Sequence, residues 1–212
     1  MKIEIISVNA LGEGAEMLIG VAITGDSGMN EKRKFLLFTE QYLELGLCRG
    51  AVIDAYTFDK LEEMSKRCVA MRKGSDLLAY SSSSRVRLAQ RLRQKGIDRE
   101  SAEDAARRLE ELGLIDEEAD VESLVRSCLK KLWGKKRIYR ELCAKGYDRD
   151  VISRELEGVD EETLVNNCVA LFRKKHKVFP SDPETQKKII ASLVRYGYSF
   201  GEIKRALRII EK

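Results

Sequence analysis

The sequence predicts a mainly α-helical protein: a tandem array of three three-helix repeats preceded by a small N-terminal β-hairpin or three-stranded element. Three observations carry this. Lys2–Val8 alternates and is rich in isoleucine, and two further β-like runs follow it between glycine clusters. From Thr57 onward apolar residues recur at three- and four-residue steps, the period of a helix with one buried stripe. A pattern of two apolar residues, a glycine and a capping residue then recurs at offsets of 50 and 51 residues. The predicted segments are 1–50 for the β-like element and 51–113, 114–158 and 159–212 for the three repeats.

Within the first segment, Lys2–Val8 and Glu16–Thr24 are the first two strands, and Leu11-Gly12-Glu13-Gly14 supplies the glycines a tight reversal needs. Gly25-Asp26-Ser27-Gly28 marks a second turn before Lys32–Phe38. Gly12 and Gly14 are not a phosphate loop, because Met17 stands where a third glycine belongs and a strand follows in place of a helix. The first helix shows Phe58, Leu61, Met64, Cys68 and Met71 on one face, and Gly74 is expected to weaken or kink it at ~1 kcal/mol relative to alanine. Ser81–Ser84 breaks the chain, with Ser84 placed to cap the next helix.

The repeat is explicit. Leu88, Leu92, Gly96, Ile97, Asp98 and Ala102 return as Ile138, Leu142, Gly146, Tyr147, Asp148 and Ile152, and again as Ile189, Leu193, Gly197, Tyr198, Ser199 and Ile203. Each copy describes a short helix with two buried residues one turn apart, ended by a glycine in the left-handed conformation. An apolar residue then packs back across the turn, and Asp or Ser caps the following helix. Ser199 and Glu202 have the spacing of a capping box. A longer helix precedes each later pair, capped by Asp116 and by Asp160, and the third pair opens on Asp182-Pro183-Glu184, a cap followed by proline at the first helical position. Such an array is quasi-linear and offers long binding surfaces more readily than a closed catalytic pocket.

Composition bounds the function. Charged residues make up 35% and hydrophobic residues 43%, enough apolar matter to bury a core. No run approaches the ~18–20 apolar residues of a membrane span, and the N-terminus lacks a basic-then-apolar signal, so a cytoplasmic protein is expected. One histidine, His176, argues against multi-histidine metal sites, and Cys48, Cys68, Cys128, Cys143 and Cys168 lack the C-x-x-C spacing. The cysteines are expected to be small buried hydrophobes, and no cofactor or metal is expected. Asp116, Glu117 and Glu118 are first-turn acids that complement a helix dipole and do not form a catalytic pair.

Charge is distributed unevenly. The first 130 residues carry 20 basic against 23 acidic side chains, and the last 82 carry 19 against 12. Three stretches are purely basic: Arg85, Arg87, Arg91, Arg93 and Lys95; Lys130, Lys131, Lys135, Lys136, Arg137 and Arg140; and Arg173, Lys174, Lys175 and Lys177. They point to a polyanionic partner, either nucleic acid or an acidic protein surface. Arg87 and Arg91 sit one turn apart beside Leu88 and Leu92; Lys136 and Arg140 are read as the same arrangement fifty residues later, with Arg137 between them and Lys188 at the third copy. Lys136, Arg137 and Arg140 are expected to serve binding more than folding. Trp133 and Tyr147 are expected at helix junctions, and Tyr139 at the surface.

Several strings, in this order and spacing, resemble the RecX family of bacterial regulators. They are Gly113-Leu114-Ile115-Asp116-Glu117-Glu118, Val125-Arg126-Ser127, and Trp133-Gly134-Lys135-Lys136-Arg137-Ile138 with Glu141-Leu142 and Lys145-Gly146. The last is Tyr196-Gly197-Tyr198-Ser199-Phe200 with Ile203. The resemblance runs from about Lys60 to Lys212. The chain departs from the family pattern at Ser81–Ser84, where arginines and a proline are usual, at Asp120, usually aromatic, and at Lys135, usually proline. The resemblance implies a non-enzymatic modulator of the RecA recombinase, lying along the RecA–single-stranded DNA filament and restraining strand exchange, ATP hydrolysis and the co-protease activity of the SOS response; a monomer is expected. Single-stranded DNA within or beside the filament is a further implied contact. The candidate contact residues are Arg87, Arg91, Arg126, Lys135, Lys136, Arg137, Arg140, Lys174, Lys175 and Lys188, with Arg126 either contacting the partner or bracing the fold. A direct nucleic-acid-binding protein of helix-turn-helix-like modules and a scaffold for another acidic protein are the alternatives. Against the former, Ala102–Leu112 and Val151–Leu156 carry as many acids as bases or more.

Overall fold

Four strands and ten α-helices stand in chain order in the computed structural model, which describes residues 2–25, 30–176 and 178–211. Strands β1 (Lys2–Leu11), β2 (Glu16–Thr24) and β3 (Asn30–Phe38) form an antiparallel sheet with a two-residue β4 (Val52–Ile53), in the order β3-β2-β1-β4. The reversal between β1 and β2 is a single helical turn, Gly12–Gly14, whose residues have φ of 52°, 56° and 89°. Three successive left-handed residues explain why two of them are glycine. The second turn cluster lies, apart from Gly25, outside the described residues. The alternation of the strands buries Ile3, Ile5, Ile19, Val21, Phe35 and Leu37 on one face, against Leu47 and Leu61. Two elements are additions to the sequence reading: α1 (Thr39–Leu45), ended by Gly46 at φ 58°, and β4, too short to show an alternation.

The chain forms two compact units, one comprising the chain up to Ser81 with Leu88–Leu114, the other Ser82–Arg87 with Ile115 onward. In the first, α2 (Ala55–Tyr80) is capped by Asp54, whose carboxylate accepts from the Thr57 N–H at 2.8 Å. It runs unbroken through Gly74, contrary to the expected kink. A Cβ at Gly74 would stand 2.5 Å from Leu109 Cδ1, so the glycine is a notch for α4 (Arg99–Glu111), which buries Ala102, Ala105, Ala106 and Leu109. Most of α3 (Arg85–Gln94) belongs to the same unit and buries Leu88, Ala89 and Leu92.

The second unit holds two three-helix sets. In one, α5 (Glu117–Lys130), α6 (Lys135–Ala144) and α7 (Arg149–Glu157) enclose Val121, Val125, Ile138, Leu142, Tyr147 and Ile152. In the other, α8 (Glu161–Lys175), α9 (Pro183–Arg195) and α10 (Phe200–Ile210) enclose Cys168, Phe172, Ile189, Leu193, Tyr198 and Ile203. Asp98, Asp116, Asp148, Asp160, Asp182 and Ser199 all cap the helices they precede, and Ser199 and Glu202 form the capping box. Gly96, Gly146 and Gly197 have φ of 83°, 79° and 97°. At each, the next residue's N–H returns to the carbonyl five residues back: Ile97 to Leu92, Tyr147 to Leu142, Tyr198 to Leu193. These are the bonds of a Schellman cap.

The cap is also a joint. The start of α6 meets the end of α9 backbone to backbone, with Gly134 N–H donating to the Tyr196 carbonyl at 2.9 Å and Lys136 N–H to the Gly197 carbonyl at 3.2 Å. A Cβ on Gly134 would stand 2.5 Å from the carbonyl carbon of Gly197, and one on Gly197 would fall on the Arg137 backbone nitrogen. The start of α3 meets the end of α6 through a side chain instead: the Ser84 hydroxyl donates to the Lys145 carbonyl at 2.8 Å and accepts from the Arg87 N–H. Ser84 therefore caps α3 and bridges to α6 at once.

Gly96 has open space around it, so Gly96→Ala costs only left-handed strain, on the order of 1–2 kcal/mol. Gly197→Ala adds backbone overlap, about 1–3 kcal/mol more, and thermal melting of the two variants should rank them in that order. Asp98, Asp160 and Asp182 have carboxyls lowered from the ordinary 3.8, Asp98 and Asp160 chiefly by bonds from the backbone of the residue three positions on, Asp182 chiefly by the Thr185 side chain. Their contribution is fully present above that ordinary value and is lost as pH falls through the lowered folded values. Asp98→Asn should flatten the acid limb of a melting-temperature profile.

Candidate functional site

The candidate cations divide by what they touch. Arg126 pairs with Glu122 and Lys188 with Glu184 at 2.7 Å, both one turn apart on exposed helix surface. These are solvated pairs of small energetic weight, and they occupy the charge that would meet a partner. Arg91, half-buried, reaches the Ser81 hydroxyl at 3.5 Å, whereas Arg87 is exposed and has no ion-pair partner among the described residues. Arg91 and Arg87 fall in different units.

Arg137 departs most from expectation. Its guanidinium carbon lies 4.0 Å from the centre of the Trp133 ring and 4.9 Å from that of Tyr196. Lys131 stands over Trp133 at 5.5 Å, and Lys175 over Tyr196 at 4.1 Å. Lys131, Trp133, Arg137, Tyr196 and Lys175 thus alternate cation and ring in one ladder, closing over the joint between α6 and α9. Lys175 and then Arg137 lower the Tyr196 phenol below its ordinary value by favouring the phenolate. The ladder holds cations by ring quadrupoles and so needs no acid beside it. Arg137 is therefore a packing residue as well as a charge. Sequence reasoning missed this because Tyr196 lies 59 positions from Arg137, although Trp133, four residues away on the same approach to α6, was a visible signal.

The fifty-residue offset also corrects the stripe. It aligns Arg87 with Arg137, not with Lys136, and the next offset aligns Arg137 with Lys188. The in-register residues are thus an exposed arginine, a stacked arginine and a paired lysine. Lys136 and Arg140 lie one position out of register, about 100° around a helix of 3.6 residues per turn. That turn places them with Lys135 on a separate face, along a groove between α6, α7 and α9 of about 800 Å³. Lys136 and Arg140 are exposed and Lys135 half-buried, and none has an ion-pair partner among the described residues. Lys174 is exposed in the last turn of α8, again without such a partner, and Lys177 of the same stretch lies outside the described residues.

The remaining chemistry is structural. Tyr139 is half-buried on the groove wall, so it is less open than expected. Tyr147 is buried, and its hydroxyl donates to Asp120 at 3.3 Å; burial first, then the Asp120 charge, pushes its phenol up to about 12. His176 ends α8, its ring 5.3 Å from that of Phe172. Cys68 and Cys168 are buried, with thiols pushed up to about 12 by desolvation; Cys128 is buried and raised for the same reason, Cys143 is half-buried, and Cys48 is exposed. Among the described residues no three His, Cys, Asp or Glu side chains cluster as a metal site, and no helix is long and apolar enough to cross a membrane.

No family model matches the chain. It is similar to regulatory protein RecX of Chlorobaculum tepidum, 30% identical over 147 residues that make up 68% of this chain and 90% of the relative. It is similar to regulatory protein RecX of Pseudomonas entomophila at 34% identity over 140 residues, 66% of this chain and 90% of the relative. Among solved structures, a crystal structure of regulatory protein RecX superposes with a TM-score of 0.75 at 18% identity, covering 97% of this chain and 99% of that one. RecX from Lactobacillus salivarius superposes at 0.62 and 23% identity, covering 69% of this chain and 97% of that one. At such identities the superpositions speak to the fold, which is mainly helical with a small N-terminal sheet.

Arg137→Ala should lower the melting temperature, losing about 1–2 kcal/mol of stacking, whereas Lys136→Ala and Arg140→Ala should each stay within ~0.5 kcal/mol. Equal melting temperatures for all three would contradict the ladder.

Proposed function

Because the chain belongs to the RecX family of regulatory proteins, we propose that it regulates the RecA recombinase by binding the RecA–single-stranded DNA filament and restraining its strand exchange, ATP hydrolysis and co-protease activity. It acts without catalysis of its own, as a cytoplasmic monomer. The observation that carries this reading is the set Lys135, Lys136 and Arg140, cations with no ion-pair partner among the described residues, in a chain whose other exposed arginines often hold a nearby acid, as Arg99, Arg107, Arg126 and Arg154 do. Pairing is cheap to arrange on a helix surface. Three neighbouring cations left without it suit a polyanionic surface, the outside of a nucleoprotein filament. Lys174 extends the same basic half, and Arg87 supplies a further open cation. Arg91, Arg126, Arg137, Lys175 and Lys188 contribute less, because each is already engaged.

The test is the triple variant Lys135→Ala, Lys136→Ala, Arg140→Ala beside the control Lys188→Ala. The triple variant should melt like the parent, yet suppress the recombinase's DNA-dependent ATPase at least about tenfold less well. It should also show a shallower fall in filament binding between roughly 50 and 200 mM salt. Binding and suppression equal to the parent's would overturn the assignment of these residues. A parent chain that neither sediments with the filament nor slows its ATPase would overturn the function.

A further inference from the structure

We propose that the groove between α6, α7 and α9 seats an acidic protein segment through one or two apolar anchor side chains, a commitment that rests on the filament-binding reading and names which component of the filament is touched. The groove's composition separates protein from nucleic acid. Its rim carries four cations, Lys135, Lys136, Arg140 and Arg195, against one acid, Glu157. Its floor is largely apolar: Leu156 is buried, Tyr139 and Val194 are half-buried, and the half-buried Ser153 adds a single hydroxyl. A rim of this charge attracts phosphates and carboxylates alike. The floor discriminates between them.

A nucleic-acid strand bound in such a groove would lay bases on open ring faces or bring base edges to hydrogen-bonding groups. Tyr139 packs against the core formed by α5, α6 and α7, Leu156 and Val194 are aliphatic, and Ser153 is the one neutral hydroxyl beside them. Aliphatic walls under a cationic rim fit a peptide whose leucine-sized side chains enter while its carboxylates meet the rim. About 800 Å³ is the size of a small-ligand site and admits one or two such side chains, not a folded surface. None of the four rim cations has an ion-pair partner among the described residues, and Arg140 Nε donates only to the Lys136 carbonyl at 3.2 Å, so an incoming acid displaces no internal carboxylate. Glu157 sets the register, since a partner carboxylate facing it would be repelled.

Three single variants of the full chain, measured by sedimentation with the recombinase filament on single-stranded DNA, test the idea. Glu157→Gln should tighten binding roughly threefold or more by removing the one repulsive group. Tyr139→Ala should weaken binding about tenfold without altering its salt dependence, and should leave any binding to naked single-stranded DNA unchanged. Lys136→Glu should weaken binding and flatten the salt dependence. Because Tyr139 also supports the core, circular dichroism checks that variant, and Lys136→p-benzoylphenylalanine at the exposed rim provides a second readout. Irradiation of the filament complex should join it to an acidic stretch of the recombinase that carries leucine or phenylalanine. Cross-links to DNA alone, or sedimentation with no cross-link, would overturn the proposal and leave filament binding intact, as would a folded Tyr139→Ala that binds like the parent. Failure of the parent chain to sediment would remove the premise itself.

Discussion

The contact on which the repeated half of the molecule depends is the meeting of one short helix's first turn with the end of another. A helix start leaves N–H groups without partners and a helix end leaves carbonyls without them. At the α6–α9 joint the two deficits cancel, Gly134 and Lys136 donating to the carbonyls of Tyr196 and Gly197. The dipoles agree as well, positive end to negative end. The geometry demands backbones closer than a Cβ permits, and a chain direction at the helix end that only a left-handed residue gives. Both demands fall on glycines: on Gly134 for space, on Gly197 for space and conformation.

The same joint decides what the cations of α6 are for. Bringing Gly134 onto Gly197 carries Trp133 and Tyr196 to either side of Arg137, which becomes a stacked residue; Tyr198, behind it, donates its hydroxyl to the Leu132 carbonyl at 2.9 Å. Lys135, Lys136 and Arg140 project from other faces of the helix and are left over. A single basic string in the sequence therefore divides into a structural part and a part without internal partners, and only the second is a candidate surface. Like charges on one short helix repel, so a face that keeps them unpaired gives up a little stability that i,i+4 acids would have supplied.

Most of the fold was legible because its signals are local. The strands announce themselves by alternation, the helix starts by Asp and Ser, and the helix ends by glycines whose spacing repeats. What escaped had either no length or no local cause. β4 is two residues, and α1 is a single short helix between sheet and glycine. Gly74 reads as a helix breaker until Leu109, 35 positions away, is seen to occupy the space of its missing Cβ. The site was legible only as a list of cations. Their sorting depends on partners four residues off for Arg126 and Lys188, which a helical wheel can reveal, and on Tyr196 for Arg137, which it cannot.

Comparison of the two joints shows why one basic stretch became a ladder and another did not. Ser83, Ser84, Arg87 and Lys145 occupy the positions that Trp133, Gly134, Arg137 and Tyr196 occupy one repeat later. Where the rings stand in the second joint, the first has a serine and a lysine, so its arginine has nothing to stack on and stays exposed. Where Gly134 allows backbone to touch backbone, Ser84 interposes a hydroxyl to the Lys145 carbonyl, and a Cβ on Gly146 would sit 3.2 Å from that hydroxyl, tight but not overlapping. Glu117 adds a carboxylate that accepts from the N–H groups of both Arg85 and Asp148, doing with charge what the rings do with surface. The buried Ser83 hydroxyl, without a hydrogen-bond partner among the described residues, stands at the position that Trp133 takes one repeat later. One backbone device is thus closed by two different chemistries, and the arginine at its centre is a packing residue in one and an open cation in the other.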